Sequence, residues 1–171
     1  TGDVIGFLNS DDVYANADCL SRIAKVFEDA DVDACYGDVL FVKRDDPDQV
    51  VRYWQAGVYR PGSIARGWMP PHPTFYVRRK LYEEVGGFDI EYRLQADFEM
   101  AIRLVQLRGI RLHYLPQTLV RMRMGGASNA SVRNVIAGNL EAYRAARKHR
   151  LGVGPLFIVQ KVLSRLPQFF S

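Results

Sequence analysis

A chain of 171 residues with 48% hydrophobic and 12% aromatic positions carries enough apolar side chain for one sizeable core, within the usual range of a single domain. Its formal charge of +4, from 23 basic against 19 acidic residues, does not imply nucleic-acid binding, and no run reaches the roughly 18 apolar residues of a membrane span. Cys19 and Cys35 have no metal-type spacing and make no disulfide framework, so a reducing compartment is the default.

In chain order, the apolar run Val4 to Leu8 ends in Asn9-Ser10-Asp11-Asp12. This is the pattern of a buried strand that delivers polar residues at its C-terminal end, where open α/β sheets bind ligands. Leu20, Ile23, Ala24 and Phe27 recur at helical spacing behind Asp18 in a capping position, which predicts an amphipathic helix laid on the sheet. Ala34 to Val42 and Val50 to Trp54 are strand-like, and Arg44 to Asp48 is turn chemistry, so a hairpin is expected. Gln55 to Pro73 is a Gly- and Pro-rich loop carrying Arg60, Arg66, Trp68 and His72, long enough to point to function. Thr74 to Val77 reads as a strand and Arg79 to Val85 as a short helix stopped by Gly86-Gly87. Asp97 opens a helix to about Arg108 with Met100, Ala101, Leu104 and Val105 inward. Two further strands are expected, Ile110 to Leu115 and Leu119 to Met124. Two helices follow: Val132, Val135, Ile136, Leu140 and Tyr143 stripe the first, and Gln160, Lys161, Ser164, Arg165 and Gln168 share a narrow polar face on the second, Pro155 to Phe170.

The pair Asp11-Asp12 offers the hard oxygen ligands that Mg²⁺ or Mn²⁺ uses when bridging diphosphate oxygens. The same residues are also ordinary cap or turn chemistry. Gly86-Gly87-Phe88-Asp89 allows close backbone approach, and Asp97, at a predicted helix N-terminus, is stabilised as an anion by the dipole and free N–H groups. Such a carboxylate is a cap, a general base for a hydroxyl proton, or both. His72, beside prolines in a loop, is open to function or packing, whereas His113 reads as a packed or edge residue of a strand rather than a ligand, and Trp68 is open to stacking on a sugar ring but reads more as a packing residue.

The order of these pieces carries more than any one of them. Gly2 to Asp12, then His72-Pro73-Thr74-Phe75-Tyr76-Val77-Arg78-Arg79, then Gly86-Gly87-Phe88-Asp89, then Ala96-Asp97-Phe98-Glu99-Met100-Ala101-Ile102-Arg103-Leu104 form an ordered set. Over about Thr1 to Ser131 this set resembles the family 2 glycosyltransferases, inverting GT-A enzymes of bacterial polysaccharide assembly. The resemblance implies an α/β fold of GT-A (Rossmann-like) type, a mixed sheet flanked by helices and here lacking its first strands. Residues 1–130 would be the partial catalytic domain and 131–171 a helical extension. It further implies that Asp11 and Asp12 hold the divalent metal, Mn²⁺ or Mg²⁺, and that Asn9 and Asp11 contact the nucleotide-sugar. Asp97 would deprotonate the acceptor hydroxyl, Gly86, Gly87 and Asp89 would shape the donor-sugar and acceptor pocket, and His72 would border the acceptor.

Two departures stand out. Asn9 replaces the first acidic residue of the metal motif, and Arg123-Met124-Gly125-Gly126 stands where many relatives carry a histidine. The resemblance implies transfer of a sugar from a nucleoside-diphosphate sugar to a glycan or lipid-linked acceptor, with inversion and with base and ribose contacts upstream of Thr1. The basic cluster Arg144, Arg147, Lys148, His149 and Arg150 and the amphipathic tail add an expectation of peripheral contact with the inner face of the plasma membrane, from the cytoplasm. Two other classes remain open: a non-catalytic carbohydrate- or nucleotide-binding module, and a sugar nucleotidyltransferase, which would need a glycine-rich basic phosphate loop that this sequence does not show.

Overall fold

The run Ala34 to Val42 is buried along almost its whole length, which fits a strand at the centre of a sheet covered on both faces. In the computed structural model, which describes residues 2–125 and 131–163, it is the hub of a six-stranded sheet. The elements in chain order are β1 (Val4–Ile5), β2 (Val13–Tyr14), α1 (Cys19–Val26), β3 (Ala34–Val42), β4 (Val50–Trp54), β5 (Tyr76–Arg78), α2 (Arg79–Val85), α3 (Ala96–Ala101), β6 (Leu112–Arg123), α4 (Val132–Lys148) and α5 (Phe157–Leu163). A π-helical segment, Ile102–Leu107, continues α3. The strand order is β1-β5-β3-β6-β2, with β4 also on β3. Among the described strands only β3 and β6 pair in parallel. One edge of β3 is shared: β5 pairs with Ala34 and Cys35, and β4 takes over from Val39 to Val42.

Each face of the sheet carries its own core. Cys19 and Ile23 of α1 pack with Cys35, Val39, Phe41 and Leu119 on one face. On the other, Phe98, Met100, Ile102 and Leu104 pack with Tyr36 and Val77. Ala142, Ala145 and Ala146 of α4 and Phe157 of α5 belong to that same larger core. The result is an α/β molecule with a mixed sheet between helices, compatible with a Rossmann-like fold.

The expected hairpin is present as β3 and β4, and Met100, Ala101, Leu104 and Val105 face inward as expected. Several other expectations need correction. Only Val4 and Ile5 of the first apolar run form a strand, both half-buried, and Phe7 and Leu8 are exposed. The reason is position, since β1 ends the sheet with β5 on one side only. On α1 the inward residues are Cys19 and Ile23, while Leu20 is 52% exposed. The two expected late strands are one, β6, whose register against β3 shifts between Tyr114 and Thr118. Pro116 lies in that interval and has no N–H to give a ladder.

The largest correction concerns the C-terminal helices. Val132, Val135, Ile136 and Leu140 face outward, and α4 packs through Gly138, Ala142, Ala145 and Ala146. Small side chains let α4 lie close on the segment before α3, where a Cβ on Gly138 would stand 3.4 Å from Gln95 Nε2. On α5, Lys161 is buried rather than solvated: its Nζ donates to Gln95 Oε1 at 2.7 Å and lies 4.7 Å from the centre of the Phe98 ring. Gly67 makes this docking feasible, since φ there is +87° and an added Cβ would meet Lys161 Cβ at 2.6 Å. Ser164, Arg165, Gln168 and the other residues of the predicted Pro155–Phe170 helix beyond Leu163 lie outside the described residues, as do Thr1 and Gly126.

Candidate functional site

The topology sends several chain ends to one edge of the sheet. β5 is antiparallel to both β1 and β3, and β3 is parallel to β6, so β1, β3 and β6 all point the same way. Their C-terminal ends therefore share an edge with the N-terminal ends of the antiparallel strands β5 and β2. Asn9 follows β1, Asp12 precedes β2, and the turn His72–Thr74 precedes β5. Residues far apart in sequence thus converge by strand direction alone, at the end of the sheet where α/β proteins bind ligands.

A cleft of about 410 Å³ opens there. Asn9, His72 and Asp97 all line it, together with Arg52, Phe88 and Arg93. Apolar walls are added by Phe41, Trp54, Met69 and Met122 at or beyond the ends of β3, β4 and β6. Asp97 is the second residue of α3, not its cap; Gln95 holds the cap position. Asp97 Oδ1 accepts from the backbone N–H of Phe98 at 2.7 Å, and Oδ2 accepts no hydrogen bond among the described residues.

The His72 ring stacks on Phe7, with centroids 5.8 Å apart, and meets Phe88 edge-on at 6.0 Å. Burial holds its imidazole below the ordinary value of 6.5, and the negative charge of Asp97 partly opposes that shift. His72 therefore faces the cleft as a neutral ring at pH 7, close enough to Asp97 to feel its charge. Arg52 lies over the Phe41 ring at 3.9 Å.

Asp12 is 6% exposed and turned into the protein. Its Oδ2 accepts from Asn9 Nδ2 at 3.0 Å and its Oδ1 from the backbone N–H of Arg123 at 3.2 Å. Burial pushes its carboxyl above the usual 3.8, and these hydrogen bonds offset only part of the shift. Asp11 is half-buried and accepts no hydrogen bond among the described residues. No group of three or more His, Cys, Asp or Glu side chains gathers for a metal among the described residues. A hard cation bridging substrate phosphates needs only one or two protein carboxylates. Neither Asp11 nor Asp12 lines the cleft; an open site of that kind would have Asp11 and the remaining lone pairs of Asp12 as its protein ligands.

Gly86, Gly87 and Asp89 do not line the cleft. Arg103 donates to the carbonyl oxygens of Val85, Gly86 and Gly87, at 2.7, 3.3 and 2.7 Å. Lys148 of α4 donates to Asp89 Oδ2 at 2.8 Å and holds that carboxyl below the usual carboxylate range. Phe88 between them is the one residue of the loop that reaches the cleft. Trp68 packs on Tyr36 and Tyr59 and donates to the Ala56 carbonyl, in keeping with its reading as a packing residue, and His113 is exposed on β6. Sequence reasoning missed Arg52, Phe88 and Arg93 as lining residues. It also missed Glu141 of α4, whose Oε2 accepts from the backbone N–H groups of Leu94 and Gln95. Phe88 stood inside a motif already singled out, but the others carry no local signal.

The sequence is similar to proteins of Mycobacterium bovis and Mycobacterium tuberculosis, each named "PGL/p-HBAD biosynthesis glycosyltransferase". Identity is 26% over 134 residues, which is 77% of this chain and 50% of each relative. The chain spans about half the length of the curated relatives it matches. No protein-family model matches the sequence. This is a distant similarity to proteins named as glycosyltransferases.

Proposed function

We propose that this chain is part of an inverting, GT-A-type glycosyltransferase that moves a sugar from a nucleoside-diphosphate sugar to the hydroxyl of a glycan or lipid-linked acceptor. The observation that carries the reading is the convergence of Asn9, His72 and Asp97 on one cleft at the ligand-binding edge of the sheet. In the proposed step the acceptor oxygen attacks the anomeric carbon, its proton passes to Asp97 Oδ2, and the bond to the diphosphate breaks with its electron pair leaving on the phosphate. Arg52 and Arg93 bring positive charge to the same cleft and favour the negative charge that develops on the leaving group. His72, neutral and stacked, walls the acceptor side. Asp11, assisted by Asp12, would hold Mn²⁺ or Mg²⁺, which supplies charge neutralisation at the diphosphate.

The use of both Asp12 oxygens inside the protein favours one other reading, a carbohydrate- or nucleotide-binding module without metal-dependent turnover. Calorimetric titration of the full-length protein with UDP, GDP and dTDP, with and without Mn²⁺, separates the two. Binding that requires Mn²⁺ supports the transferase, whereas metal-independent binding without turnover supports the module.

Peripheral membrane contact belongs to the same proposal. No helix among the described residues is long and apolar enough to cross a membrane. Val132, Ile136 and Leu140 on α4 and Val159 and Leu163 on α5 are exposed, and Arg133, Arg144 and Arg147 are exposed on α4. An apolar face flanked by arginines suits the interface of an anionic leaflet, which here would be the cytoplasmic one.

A further inference from the structure

The segment that lines the cleft from Leu94 to Asp97 is not held by its own helix alone. Its first backbone N–H groups precede α3 and have no intrahelical partners, as at every helix start. Glu141, in the middle of α4, accepts both with one oxygen: Leu94 N–H at 2.8 Å and Gln95 N–H at 3.0 Å. A carboxylate at that place also faces the positive end of the α3 dipole. Gln95 is then held a second time, by the buried ammonium of Lys161 on α5. One turn further along α3, Glu99 is 1% exposed and bound by Arg103 at 2.8 Å and by His149, beyond the end of α4, at 2.7 Å. The C-terminal helices therefore reach the cleft without lining it.

We propose that Glu141 is a positioning residue for Asp97, fixing the start of α3 so that the Asp97 carboxylate meets the acceptor hydroxyl, with Lys161 as a second tie through Gln95. The proposal rests on the reading of Asp97 as the base. The cleft-lining residues Leu94, Gln95 and Asp97 occupy four consecutive positions with Ala96, so a change at the first two amides moves the carboxylate directly. A misplacement of about 1 Å in a reacting group costs on the order of a hundredfold in rate. The helical extension is thus part of the reacting unit through hydrogen bonds, besides its place in the core.

The test uses the full-length protein with whichever of the UDP-, GDP- or dTDP-sugars the wild type consumes, and compares Glu141→Ala, Glu141→Gln and Lys161→Met. Turnover is read as nucleoside diphosphate released, and amide exchange at Leu94 and Gln95 is measured beside it. Glu141→Ala is expected to lower kcat by about ten- to a hundredfold while donor KM stays within about twofold, and to speed exchange at both amides. Glu141→Gln should recover part of the loss, since its oxygen still accepts. Should Glu141→Ala not fold, Glu141→Gln and Lys161→Met are expected to show smaller losses of the same kind. Unchanged kcat in a folded Glu141→Ala, or a loss confined to KM, overturns the proposal. Unchanged exchange at Leu94 and Gln95 overturns the tie itself. Failure of the base reading is recognised separately, by an Asp97→Asn variant that keeps wild-type turnover while exchange in the Glu141 variants still rises.

Discussion

The side-chain amide of Asn9 donates to Oδ2 of Asp12 across 3.0 Å, so the two ends of the acidic motif are tied to each other. With the second bond from Asp12 to the N–H of Arg123, this closes the turn between β1 and β2 against the end of β6. Asp12 therefore belongs partly to the fold, beside the metal role expected of it.

The two neighbouring aspartates should consequently separate on substitution. Asp12→Ala leaves the N–H of Arg123 without its acceptor and should destabilise by about 1–3 kcal/mol. Asp11→Ala should leave stability within about 0.5 kcal/mol and abolish Mn²⁺-dependent nucleotide binding. Urea denaturation of both variants, with calorimetry on Asp11→Ala, checks the pair. Equal stability losses would refute the assignment.

His72 gives a pH dependence with a definite sign. Its folded pKa lies below the unfolded value of 6.5, so the unfolded chain takes up a proton that the folded chain refuses. Stability is thus full above pH 6.5 and falls as pH drops from there toward the folded pKa. His72→Phe keeps the ring stacked on Phe7 and should flatten that part of the stability curve. The comparison is made by denaturation between pH 7.5 and pH 5, and an unchanged slope would contradict it.

Gly67→Ala should cost about 1–2 kcal/mol for the left-handed backbone alone. Contact with Lys161 adds to this, because the new methyl would lie 2.6 Å from its Cβ. The variant should also loosen α5, seen as faster amide exchange in Phe157–Leu163. A melting temperature equal to wild type would show that the turn at Gly67 and α5 are not packed together.

Ile136→Lys with Leu140→Lys tests the exposed face of α4. Neither side chain is buried, so folding should be unaffected, while sedimentation with vesicles containing phosphatidylserine should fall. If it holds at the wild-type level, that face meets something other than a bilayer.

Much of the sheet is legible in the sequence because its signals are local. β3 and β4 were bounded by turn chemistry at Arg44 to Asp48, and α2 by Gly86, which has φ +85°. The face of α4 was not legible, because periodicity weighs large apolar residues and this helix packs through glycine and alanines. Nor was the burial of Lys161, whose partners Gln95 and Phe98 lie more than sixty residues away. The cleft itself was half legible. Asn9, His72 and Asp97 stood in motifs, but the ties that hold Leu94 and Gln95 come from Glu141, which has no neighbouring residue to mark it.

The most direct test of the account is the turnover of Asp97→Asn in the full-length protein. Asparagine keeps the oxygen that accepts from Phe98 N–H, and the residue is not the α3 cap, so the fold should be unchanged. It cannot accept the acceptor proton. The account predicts a fall in kcat of about a hundred- to ten-thousandfold with nucleotide binding retained. A folded Asp97→Asn protein with near-wild-type kcat would contradict it.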